Sequence, residues 1–264
     1  MLWPRLFGVA RMFLTFMFIA GLVTGSFLSL VAGRYRPDAS LWHVVSTVFI
    51  PPSRCDHCSQ RLLPCQLIPL LSFLWLRGRC SHCSVKLPLR LLYGELITGI
   101  VFVCCALLSP LPCRLVLSLS YCSLLILLAQ IDYLCLRLPD GLTLPLLFIG
   151  ILASLCYPTP ALMARFFGIT GGFLSLWLAD RLYDLYYQHR GMGGGDMKLL
   201  AALGAWNGWQ SLAEIVLLAS AGTLAVLLLA GTFSRYCGKQ RPLPFGVGLS
   251  LAGIVWQLWQ DYTG

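Results

Sequence analysis

Charge is scarce in this chain. Only 11% of its 264 residues are Asp, Glu, Lys or Arg, where soluble domains carry about 25%. That shortage excludes a water-soluble globule. With 58% of the residues hydrophobic it also excludes intrinsic disorder, which needs few apolar residues and high net charge. Carboxylates are scarcer still, ten Asp and Glu in all, so each can be weighed singly. The net charge of +9 might suggest nucleic acid, but no stretch forms the soluble basic face that such binding needs. Cysteine, by contrast, is plentiful at twelve, yet a small disulfide-stapled secreted domain is excluded by length and hydrophobicity. The mean hydropathy of +0.79 makes lipid the main solvent. The chain reads as an all-α polytopic membrane protein.

A spanning helix needs about 20 mostly apolar residues. Eight candidate segments meet or approach that length: roughly 12–32, 91–109, 113–131, 141–157, 162–180, 197–210, 212–233 and 243–260. The sixth is short enough for a partial crossing. Pro110, Pro112, Pro158, Pro160 and Pro242 fall in the breaks, where a missing N–H costs least. The first run follows Arg5 and Arg11 and continues past Gly33 without a small-x-small cleavage site, so it is read as a retained anchor.

Basic residues set the orientation. Of the 19 Lys and Arg, only Arg5, Arg11, Arg114 and Arg165 fall on one side of the eight-span arrangement. The other side collects the rest, and the positive-inside rule puts it in the cytoplasm. The long segment 34–90 lies there. The chain then divides into a first transmembrane helix (1–33), a cytoplasmic loop (34–90) and a transmembrane core (91–264).

The loop carries Cys55-Asp-His-Cys58 and Cys80-Ser-His-Cys83. Two CxxC turns each supply two thiolates to tetrahedral zinc, and a reducing cytoplasm favours metal over disulfides. Structural zinc on Cys55, Cys58, Cys80 and Cys83 is the expectation. Four unligated cysteines, or a redox pair, are the alternatives. His57 and His82 sit inside the turns and are expected to face solvent, and Cys65 is a nearby fifth thiol. Cys104, Cys105, Cys113, Cys122, Cys135, Cys156 and Cys237 are read as small apolar residues, with no chemistry assigned.

Ionisable groups at membrane depth are costly and by default functional. Glu95 falls inside the second segment. Asp38 and Asp56 belong to the loop, Glu214 and Asp261 to the outer boundary, and Asp180 and Asp184 to a helix end beside Arg181. Two carboxylates remain. Asp132 ends a long apolar run, in AQIDYLCLRLPD, and Asp196 follows three glycines, in GMGGGDMKLL. Both reach the same depth on the same side, 64 residues apart in sequence. Two close carboxylates share a proton, so one can activate water while the other protonates a leaving amine. The plainer alternatives are a helix N-cap for Asp196 and a helix-end residue for Asp132. The glycine run lacks the GxxxxGK[ST] pattern of a P-loop, and glycine lets backbone approach a peptide or bend sharply.

Five stretches together resemble the bacterial type IV prepilin peptidase family, an aspartic peptidase family. They are Gly25-Ser26-Phe27, the double CxxC loop with IPLLSFLWLRGRC, Tyr93 to Leu96, IDYLCLRLPDGLTLPLL, and GGGDMKLLAALGAWNGW. The resemblance implies a membrane enzyme of the bacterial inner membrane. It implies cleavage of the basic leader of prepilins or pseudopilins at the cytoplasmic face, followed by S-adenosylmethionine-dependent methylation of the new N-terminus. It places the peptidase on Asp132 and Asp196, and makes Gly78 and Glu95 candidates for methyl-donor binding. Asp140, in the LPD element, fits a helix-starting role. This chain has Ser29 where the family usually has asparagine, and Val247 where a PFGP element usually ends in proline. Implied partners are prepilin leader peptides and membrane lipid, with no nucleic acid. The competing functions are a peptidase without methyltransferase activity, a carboxylate-relay transporter, and a zinc-loop scaffold without catalysis.

Overall fold

The computed structural model describes residues 3–36, 57–61, 70–109, 111–156, 160–188, 193–229 and 243–263. Within the described residues, most of each apolar segment lies on a helix. The helices are α1 (Trp3–Arg34), the five-residue α2 (Leu71–Trp75), α3 (Leu89–Leu108), α4 (Pro112–Cys135) and α5 (Asp140–Leu152), which runs into a 3₁₀ turn (Ala153–Leu155). They continue with α6 (Leu162–Tyr187), α7 (Gly194–Asn207), α8 (Leu212–Leu229) and α9 (Phe245–Thr263). Arg79 and Lys86 form an isolated antiparallel bridge. Five helices (α1 from Ala10, α3, α4, α6 and α8) are long and apolar enough to cross a membrane. The protein is all-helical and multi-pass.

The chain forms two compact units, Met1–Pro110 and Leu111–Gly264. In the first, α1 packs along α3 through small residues. A Cβ on Gly25 would stand 2.8 Å from the Gly94 carbonyl, and one on Gly21 2.7 Å from the Gly99 Cα. Lipid gives helices no hydrophobic reason to associate, so close backbone approach supplies the attraction instead.

In the second unit α7 is the axis. Met197 and every residue from Leu199 to Asn207 are buried, with α5, α6 and α9 packed around them. Gly168 of α6 and Gly204 of α7 meet backbone to backbone. Arg165 of α6 is 1% exposed and grips the far end of α7. Its Nη1 donates to the carbonyls of Ala205, Trp206 and Gly150 at 3.0 Å each, and its Nε to the Pro160 carbonyl at 3.1 Å. The last carbonyls of a helix lack intrahelical donors, and in a lipid-facing bundle they must be satisfied by protein. A buried polar seam runs nearby: Asn207 donates to the Tyr121 hydroxyl, and Ser118 to Asp261 at 2.8 Å. Asp261, expected at the outer boundary, is therefore buried between α4 and α9 and hydrogen-bonded there, with Gln257 as a second donor.

Candidate active site and metal centre

Asp132 occupies the last turn of α4. That helix stops because Leu136 turns left-handed (φ 53°) and returns its N–H to the Asp132 carbonyl at 2.8 Å. The residues 136–139 then lead through Pro139, whose missing N–H suits a helix start, to Asp140 as the first residue of α5. The Asp132 side chain is 5% exposed. It lies against the N-terminus of α9, where the first N–H groups have no intrahelical partner. Oδ2 accepts the Val247 N–H at 3.1 Å, and the Gly246 N–H also reaches the carboxylate. Gly246 itself is pressed on Asp132: a Cβ there would stand 2.8 Å from Oδ2.

Asp196 is the third residue of α7, in its first turn. The N-cap position is taken by Gly193, so the capping alternative for Asp196 is not what the structure has. Its neighbour Gly195 lies so near the connection after α4 that a Cβ would stand 2.9 Å from the Leu138 Cβ, whereas Gly193 and Gly194 face open space. Leu138 also reaches Gly246, so one side chain joins the first turns of α7 and α9 beside the two aspartates. Lys198 and Asp140, both exposed, form an ion pair of 2.6 Å that ties the start of α5 to the same turn of α7. Asp140 thus has the helix-starting place expected of it. Burial, and secondarily the charge of Asp132, push the Asp196 carboxyl up to about 7 from an ordinary 3.8. A carboxyl raised toward neutrality beside a second carboxyl suits general acid–base chemistry.

The first unit holds the thiols. Cys58, Cys80 and Cys83 bring their sulfurs within 4.8 Å of one another. Zinc–sulfur bonds of about 2.3 Å put tetrahedral thiolates roughly 3.8 Å apart, a spacing that small adjustments of these side chains reach, so the three could hold one ion; Cys55 and Cys65 lie outside the described residues. The second CxxC sits on a tight hairpin. Cys80 N–H donates to the Val85 carbonyl at 2.9 Å and Ser84 N–H returns to the Cys80 carbonyl at 3.0 Å. His57 and His82 are exposed, as expected. Gly78 opens the hairpin with φ +67°, a conformation L side chains rarely adopt, and a Cβ there would stand 2.9 Å from Phe73 Cζ. Glu95, 9% exposed on α3, accepts the Leu70 N–H at 2.8 Å and so fastens the chain that leads into α2.

Two family models match. The Bacterial Peptidase A24 N-terminal domain covers residues 19–109, and the Type IV leader peptidase family covers 119–229. A relative from Dickeya chrysanthemi is 37% identical over 93% of this chain and 92% of its own length. One from Aeromonas hydrophila is 35% identical over 96% and 93%, and one from Klebsiella pneumoniae 39% identical over 78% and 90%. The chain belongs to the type IV leader peptidase family. All three relatives carry the name prepilin leader peptidase/N-methyltransferase. No solved structure matches the chain.

This leader peptidase family member is an enzyme. Its sequence did not reveal Gly246, Val247 or Leu138 as parts of the site. The first two act through backbone N–H groups and the third through packing, and neither role needs a distinctive side chain. The signal available was the Pro244-Phe245-Gly246-Val247 element, a proline and a glycine at the start of an apolar run.

Proposed function

We propose that the protein is a membrane aspartyl endopeptidase that removes the basic leader of type IV prepilins or pseudopilins at the cytoplasmic face of the bacterial inner membrane, and that it then methylates the new N-terminus from S-adenosylmethionine. The observation that carries the reading is the pairing of buried Asp132 with Asp196, whose carboxyl is pushed up by burial and by Asp132, delivered by the ends of α4 and α7. Asp132, bonded to two backbone N–H groups, acts as the base: it takes a proton as water adds to the scissile carbonyl. Asp196 gives its proton to the leaving amine as the C–N bond breaks. Eight crossings, with the basic residues inside, put the dyad on the cytoplasmic side. A transporter would hold such a pair near the bilayer midplane, whereas these lie at helix ends.

Zinc in the segment 34–90 would be held by Cys55, Cys58, Cys80 and Cys83, and would order a loop too small to fold by burial alone. Gly78 and Glu95 shape that segment, one by turning the chain and one by anchoring it to α3, and through it they support methyl-donor binding. Co-expression with a prepilin tests the core of the reading. Asp132→Asn and Asp196→Asn should each abolish leader removal while the protein stays inserted, because an amide does not exchange the proton. Cleavage retained in either variant overturns the assignment.

A further inference from the structure

Cys113 and Cys156, read above as inert apolar residues, are bonded to each other, with Cα atoms 6.4 Å apart, and lie 43 positions apart in sequence. Cys113 is the second residue of α4, and Cys156 follows the 3₁₀ turn that ends α5. Asp132 and Asp140 occupy the opposite ends of those same two helices. From Cys113 to Asp132 is 19 residues of α4, about 28 Å at 1.5 Å per residue. The hydrocarbon core of a bilayer is about 30 Å thick. The bond and the dyad therefore belong to opposite faces of the membrane.

A structural disulfide persists in an oxidising compartment and is lost in a reducing one. The charge pattern of this unit agrees. Lys198 and Arg137 lie at the dyad end, whereas of the two arginines at the disulfide end Arg165 is buried against helix carbonyls and flanks nothing. Arg114 directs its Nε to the Cys156 carbonyl at 3.4 Å. Cys113 is exposed and Cys156 half-buried, whereas Cys105 and Cys122 are fully buried in helices. The pair is thus both near enough to bond and open to a catalyst of bonding.

We propose that Cys113–Cys156 is a disulfide installed on the extracytoplasmic face by a thiol–disulfide oxidoreductase of the oxidising compartment, which staples the outer ends of α4 and α5 while the carboxylates work at the inner ends. The electrons balance by exchange. One thiolate of the pair attacks the oxidoreductase disulfide, forming a mixed disulfide and releasing one oxidoreductase thiolate. The second cysteine attacks the mixed disulfide, and the oxidoreductase departs as a dithiol carrying the two electrons. The inference rests on the orientation proposed above but not on the roles of the aspartates.

The test uses the full chain in bacterial inner membranes. Free thiols are trapped with N-ethylmaleimide under acid quench, the sample is reduced, and new thiols are tagged with a maleimide polymer that shifts the band. Wild type should gain two reduction-dependent tags, and Cys113→Ser with Cys156→Ser none. In spheroplasts a membrane-impermeant phosphine should open the bond. A host lacking its envelope oxidoreductase should yield the pair reduced. Wild type from an oxidising host that gains no reduction-dependent tags would overturn the proposal. So would a bond that only permeant reductants open, or one that forms fully without the oxidoreductase. Asp132→Asn protein should gain the same two tags, so a failed dyad and a failed staple give different results.

Discussion

Gly246→Ala is a one-methyl probe of the claim that α9 completes the active site. The added Cβ would stand 2.8 Å from Asp132 Oδ2 and 3.0 Å from its Cγ, where ordinary contact begins at 3.4 Å. Relief needs a displacement of about 0.6 Å at a carboxylate already buried, and close-packed interiors yield to such overpacking at a cost of about 1–3 kcal/mol. The Val247 N–H bond of 3.1 Å has little slack before it passes the range of a real hydrogen bond. A bond to a charged acceptor contributes about 1.5–3 kcal/mol. If roughly 2 kcal/mol falls on the reacting geometry, kcat/KM drops about 30-fold at 1.36 kcal/mol per decade. Purified protein in detergent, a full-length prepilin and timed gel analysis of leader loss give the number. Gly222→Ala is the control, since a Cβ there meets nothing within 4 Å, and it should match wild type. A Gly246→Ala enzyme within twofold of wild type, with an unchanged melting temperature, would refute the reasoning.

Other outcomes follow from the same geometry. Asp196, raised from 3.8 to about 7, must be protonated to donate, so kcat/KM should fall about tenfold per pH unit above 7. The folded protein also binds that proton more tightly than the unfolded chain, so this group's contribution to stability is complete below pH 3.8 and is lost as pH rises through about 7. Melting scans between pH 4 and 8 read the sign. Cys80→Ser should lower zinc content and N-terminal methylation more than leader removal, which mass spectrometry of the mature N-terminus reports together; cleavage lost first would reverse the division of labour. Arg165→Met leaves the carbonyls of Gly150, Pro160, Ala205 and Trp206 without their shared cation. It should cost about 3–5 kcal/mol, seen as a melting temperature lower by about 10 °C.

The helices were legible because apolar runs near membrane length are hard to mistake, and the aspartates because a carboxylate at the end of such a run stands out. Boundaries were less so: α7 begins at Gly194, and the segment expected at 197–210 misses the turn that carries Asp196. The burial of Asp261 was not legible because hydropathy fixes a residue's depth along its own helix but not the neighbour it faces, and Ser118 lies 143 positions away. The Cys113–Cys156 bond was missed for a similar reason. Taken one at a time, each cysteine looks like any small apolar residue, and only the antiparallel arrangement of α4 and α5 brings those two to one end. Arg165 was counted at the outer end, and its burial there as the clamp on α7 was not legible.

The order in which the chain leaves the ribosome gives the placement of α9 another meaning. Asp132 is synthesised midway, and Asp196 follows with α7, but the two backbone donors that hold Asp132 belong to Gly246 and Val247, on the last described helix. Until that helix has entered the bilayer and its first turn has met α4, the first carboxylate lacks its fixed partners. A half-inserted chain therefore carries both aspartates without the backbone donors that hold Asp132. On the mechanism proposed above, hydrolysis waits until α9 has docked against α4, so the order of synthesis sets when the site is complete.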